Sequence, residues 1–79
     1  MARVETREIA PGITTDSAVR FGKPVIKGTR LTPSLVLGQL AAGTSHAELR
    51  EQYGLSEEGI RAALRYAAEI LKHEEVRAH

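Results

Sequence analysis

The chain has 79 residues, a formal net charge of +1 and an apolar content of 42%. That length allows one small domain with a modest core, and that apolar content excludes a disordered chain. There is no Cys and no Trp, with one Phe and two Tyr, so disulfides, thiolate metal sites and Cys nucleophiles are excluded and the core must be aliphatic. A cysteine-free chain suits a reducing cytoplasm. No run is long and apolar enough to span a membrane, and Met1–Ala10 lacks a signal-peptide core. The expectation is a cytoplasmic protein.

Met1–Gly12 mixes charged and apolar residues without a strict period, which fits an N-terminal tail or an edge strand. Pro11-Gly12 closes it as a turn. Ile13-Thr14-Thr15 is a short β-branched run and a candidate strand. The stretch from Ser17 to Pro33 then concentrates the positive charge: it holds Arg20, Lys23, Lys27 and Arg30 and no acid, while the rest of the chain has more acids than bases. Within it, Pro24 belongs at an edge or a strand start, Val25 and Ile26 favour extended structure, and Lys27-Gly28 supplies a turn. Thr29, Arg30 and Leu31 would return as a second strand. The expected element is a tight β-hairpin, with Ile13–Thr15 as a possible third strand.

Thr32-Pro33 reads as a helix start, with Thr as N-cap and Pro at the first helical position. The first helix should run from Pro33 to Ala42, where Gly43 stops it. Leu35, Val36, Leu37 and Leu40 cover more than one of its faces, so it should be buried on several sides. Ser45 with Glu48 three residues later makes a capping box for a second helix, and Gly54 ends it. Ser56 caps the third, with Glu57 and Glu58 near the positive end of its dipole. Ile60, Ala63, Leu64, Ala67 and Leu71 form its core stripe, which Tyr66 and Ile70 widen. Arg61, Arg65, Glu69 and Lys72 lie opposite. The expected fold is mainly α with a short β-hairpin, a three-helix homeodomain-like or winged helix-turn-helix domain. It divides into 1–12, a tail or edge strand, 13–72, the single domain, and 73–79, a charged C-terminal tail.

Catalytic patterns are missing: there is no HExxH, CxxC, GxSxG or phosphate-cradling glycine loop. Glu57-Glu58 point in different directions on a helix and suit the dipole, and His46 suits the surface. The expectation is a non-enzyme without cofactor or metal. Leu49, Tyr53, Gly54, Leu55, Ser56, Ile60 and Leu64 have the spacing of a helix-turn-helix. The pattern departs at Arg50, where close helix packing usually wants a small residue. Glu57 and Glu58 would also repel DNA phosphates. Arg61 and Arg65 could reach DNA, or could pair with acids on a solvated face, as Arg65 and Glu69 are spaced to do. Lys23, Lys27, Thr29 and Arg30 could grip phosphates; alternatively the bases keep an edge soluble, and Arg30 caps carbonyls or pairs with Asp16. Leu35, Val36, Tyr66 and Ile70 are the candidate partner or dimer interface, because a domain this small cannot cover both apolar helices.

Four segments together resemble a known family. They are the GKPVIKGTR segment, the Pro-led apolar helix ending in AAG, the Tyr-Gly-Leu-Ser turn and the IRAALRYAAE helix. From Ile13 to Glu69 the chain resembles the small prokaryotic domain of unknown function (DUF) family 433. The resemblance implies a compact homeodomain-like or winged three-helix fold. It also implies kinship with VapB-type antitoxins, encoded beside a PIN-like ribonuclease toxin that they bind and silence. The expected partners are a second copy of the chain, a PIN-like toxin and, as a further expectation, operator DNA.

Overall fold

The computed structural model describes residues 6–76, with side chains described through residue 72. Three strands come first: β1 (Thr6–Ala10), β2 (Ile13–Asp16) and β3 (Val25–Ile26). Three helices follow: α1 (Pro33–Ala41), α2 (His46–Tyr53) and α3 (Glu57–Val76). The strands form one antiparallel sheet in the order β1-β2-β3. This overturns the expected mainly α, homeodomain-like or winged class. The sheet is a full part of the core, because the β-branched residues Ile13, Val25 and Ile26 are buried with the helices. The chain is three helices packed on a three-stranded N-terminal sheet.

The hairpin also lies elsewhere than expected. It is β1–β2, turning at Pro11-Gly12, with Thr6 opposite Asp16 and Glu8 opposite Thr14. The register slips between Glu8 and Ala10, which is how an extra residue is absorbed at a sheet edge. Val25 and Ile26 pair back with Thr14 and Ile13. Thr29–Leu31 forms no strand, and its return is limited to one bond, from Ile26 N–H to the Leu31 carbonyl at 2.8 Å. The Thr29 side chain explains this. Its hydroxyl donates to the Ile26 carbonyl at 2.8 Å and accepts from Leu31 N–H at 3.0 Å. Those are the Leu31 N–H and Ile26 carbonyl that would have completed the pair, so a local turn ends the ladder there.

The helix ends follow local chemistry. Leu35 N–H donates to Thr32 Oγ1 at 3.2 Å with Pro33 in the first turn. Both halves of the Ser45–Glu48 capping box form, at 3.1 and 2.8 Å. Gly54 ends α2 in a left-handed conformation, φ 70°, where a side chain would be strained. Gly59 N–H donates to Ser56 Oγ at 3.0 Å at the start of α3. That helix continues through Val76, past the expected boundary at residue 72. Residues 77–79 and the first five lie outside the described range.

The core is aliphatic. Ile13, Ile26, Val36, Leu49, Leu55, Ile60, Ala62 and Ala63 are buried together, with Leu31, Leu40 and Tyr66 packed against them. Two glycines set how closely α3 lies on the sheet. A Cβ at Gly12 would stand 2.6 Å from the Ala62 Cβ, and one at Gly59 would stand 3.1 Å from Ile26 Cγ2. Having no Cβ at either position lets α3 lie close against the β1–β2 turn and β3.

Candidate functional site: a basic loop tip and an uncovered helix face

The basic residues separate into two sets. Lys27 Nζ lies 3.3 Å from Glu8 Oε1 and so ties the 27–30 turn to β1. Glu8 also accepts the Gly12 N–H at 2.9 Å. The Gly12 bond, followed by Lys27, holds the Glu8 carboxyl below the usual carboxylate range. Thr29 is occupied by the backbone of its own turn. Arg61 sits 3.7 Å from Glu58 one helical turn back. Lys27, Thr29 and Arg61 therefore have local structural partners. Lys23, Arg30 and Arg65 are exposed and have no acidic oxygen within salt-bridge distance among the described residues. The expected Arg65–Glu69 pair does not form; Glu69 pairs with Lys72 at 3.5 Å.

The acidic start of α3 is neutralised from α2. His46 Nδ1 and Arg50 Nη1 both reach Glu57 Oε1 at 3.0 Å. His46 is the main cause of the lowered Glu57 pKa, with Arg50 adding to it. This gives Arg50 a role: it bridges two helices where a small residue would only have packed. It also ties the first turn of α3 to α2 through Glu57.

Lys23 borders a shallow groove with Pro24, Pro33, Ser34 and Tyr66. Beside it, Arg20, Phe21 and Arg30 line one hollow with Ser17 and Ala18. Arg20 and Arg30 share a second hollow with Leu31, Thr32, Ser34 and Leu35. The tip thus gathers Arg20, Lys23 and Arg30 from the two ends of the acid-free stretch. Arg20 and Phe21 were not singled out as contacts from sequence. The spacing of residues carries no sign of the turn that brings them beside Arg30.

The second feature is α3. Val36, an expected interface residue, is 0% exposed and belongs to the core, so it has no surface to offer a partner. Leu35 and Tyr66 are half-buried. Ile70 is 52% exposed. Leu64 and Leu71 were expected in the core stripe, yet they are 41% and 53% exposed. The reason is geometric. At 100° per residue, Leu64 and Ala68 lie on the flank of α3 beside the stripe of Ile60, Ala63 and Ala67, whereas Leu71 is nearly in line with Ile60 but about three turns farther along. Ile70 points toward the core side but lies in the last turns of a 20-residue helix. The sheet meets α3 near its start, at Gly59 and Ala62. The apolar arc is therefore both wider and longer than the domain that covers it.

Among the described residues no group of three or more His, Cys, Asp or Glu is placed to hold a metal. No helix there is long and apolar enough to cross a membrane. Comparison with curated proteins and with solved structures finds no match. A family model does match, over residues 13–67, which takes in β2, the basic loop, all of α1 and α2 and the packed part of α3. The chain belongs to the family described as protein of unknown function DUF433.

Proposed function

We propose that the chain is a cytoplasmic antitoxin-like binding protein that neutralises a PIN-like ribonuclease and acts as a homodimer. The observation that carries this reading is the uncovered apolar arc of α3, with Leu64, Ile70 and Leu71 between 41% and 53% exposed. Three large aliphatic side chains on one helix, free of the domain's own core, suit a helix laid into an apolar groove of another protein. The resemblance to VapB-type antitoxins supplies the identity of the partner.

The test is an RNA-cleavage assay with a PIN-like ribonuclease from the gene adjacent to that of this chain, the partner that the reading requires. Stoichiometric addition of the chain should suppress cleavage. Undiminished cleavage, with no co-purification of the two proteins, would rule the reading out.

A second reading, a stand-alone regulator that binds duplex DNA, is favoured by Lys23, Arg30 and Arg65. All three lack an acidic partner among the described residues. Its mark is an affinity for upstream DNA that falls steeply with salt, as release of counterions from phosphates requires.

A further inference from the structure

The turn that carries Phe21 has no explanation in packing. Arg20, Phe21 and Gly22 all take left-handed backbone angles, φ 53°, 57° and 81°. Gly22 does so freely, but Arg20 and Phe21 do so against the clash between Cβ and the following carbonyl oxygen. The turn is well tied all the same. Gly22 N–H donates to the Val19 carbonyl and Lys23 N–H to the Arg20 carbonyl, each at 3.1 Å. At its base, Val19 N–H donates to the Asp16 carbonyl at 2.9 Å and Ala18 N–H to Asp16 Oδ1 at 2.8 Å. The outcome is a Phe21 side chain that is 98% exposed. A ring in water adds nothing to folding, and strained backbone of this kind gathers where a ligand is held.

The neighbours of the ring define the ligand. Arg20 and Arg30 line one hollow with Phe21, and Lys23 follows two residues on. No acid occurs between Ser17 and Pro33. The nearest carboxylate in sequence, Asp16, is occupied by Thr6 Oγ1 at 2.9 Å and by Ala18 N–H. An exposed aromatic ring that shares a hollow with two arginines suits a flat, unsaturated ring joined to anions. We propose that this tip binds single-stranded nucleic acid, with Phe21 stacked on an unpaired base and Arg20 and Arg30 holding the adjoining phosphates. An unpaired strand fits better than a duplex, because bases inside a duplex have no free face to offer a lone ring. The proposal does not rest on the ribonuclease reading, which uses α3.

The test is fluorescence anisotropy of the full chain with a labelled oligothymidylate, a mixed-sequence duplex and polyglutamate as competitor. The variant Phe21→Asn keeps a residue that tolerates the left-handed backbone and removes only an exposed ring. It should melt no lower than the parent. Its affinity for the oligothymidylate should fall about 5- to 150-fold, the range for loss of one stacked base. Arg30→Ala should reduce the slope of log affinity against log salt by about 0.7 for a single strand. Leu71→Asp, on α3, should leave strand binding unchanged. The proposal is overturned if the chain binds no strand at low salt, or if Phe21→Asn binds as the parent does. It is equally overturned if the duplex binds as tightly, which favours the promoter reading, or if polyglutamate displaces the strand, which assigns the tip to an acidic polypeptide.

Discussion

Replacing Gly12 by Ala probes the contact that seats the β1–β2 turn on α3. Gly12 has φ +76°, and a Cβ there would lie 2.6 Å from the Ala62 Cβ. The left-handed backbone disfavours Ala by about 1 to 2 kcal/mol. The overlap adds a further 1 to 3 kcal/mol, roughly, for an overpacked site. The Ala62 Cβ is fixed to its helix, so only the strand turn and α3 can move apart, and that separation also disturbs buried Ile13 and Ile60. The expected loss is about 2 to 5 kcal/mol. A chain of this length has a total of roughly 4 to 12 kcal/mol, so the variant should be severely weakened. Urea unfolding followed by far-UV circular dichroism measures it. Ala62→Gly in the same background removes the overlap but leaves the backbone strain. It should therefore recover part of the loss, with a coupling of roughly 1 to 3 kcal/mol between the two sites. A Gly12→Ala loss below about 1 kcal/mol, or simple additivity in the double variant, would refute the reasoning.

Other expectations follow from the same contacts. Ser45→Ala removes the acceptor of the Glu48 N–H at 3.1 Å and should lower stability by about 1 kcal/mol in the same urea assay. Glu8, Glu48 and Glu57 all have lowered pKa values. For Glu8 the largest cause is the Gly12 N–H, for Glu48 the Ser45 N–H and for Glu57 the His46 ring. Because each folded value lies below the unfolded one, their contribution is complete above the ordinary value of 4.5 and is lost as pH falls through the folded values. The urea midpoint should therefore drop below pH 4.5, and Glu8→Gln should make that drop shallower; an unchanged acid limb would contradict the Glu8 assignment. Leu64→Asp and Leu71→Asp alter exposed positions and should each change stability by no more than about 0.5 kcal/mol. A large loss would mean that those residues are covered by the fold itself.

The helices were legible because their signals are local. Thr32-Pro33, the Ser45–Glu48 box, Gly54 and Ser56 each act within one turn of the backbone group they satisfy. The core residues Ile13, Ile26, Leu49, Leu55 and Ile60 followed from β-branching and helical spacing. The sheet was less legible. Pairing of β2 with β3 spans a loop that turns on left-handed residues, and neither Arg20 nor Phe21 is a residue type that announces such a turn. The second strand expected at Thr29–Leu31 stops at one bond to Ile26 because the Thr29 hydroxyl captures the groups of the other. Leu64 and Leu71 share the apolar character of the core stripe on α3. Whether they are covered depends on how far the rest of the domain reaches along that helix, which is a tertiary matter that spacing does not encode. The basic tip was half legible: composition drew attention to Lys23 and Arg30, while the ion pair of Lys27 with Glu8 and the eversion of Phe21 emerge only from the fold.

The most direct test of the central claim, that the apolar face of α3 engages a ribonuclease partner, is a calorimetric titration. The proposed partner, a PIN-like ribonuclease, would be titrated with the parent protein and with the Leu64→Asp, Leu71→Asp double variant. The account predicts saturable binding of the parent at a fixed stoichiometry, with a negative heat-capacity change from apolar burial. It predicts that the folded double variant loses this binding. Equal binding by the two proteins would contradict the assignment of the face, and absence of binding by the parent would contradict the function.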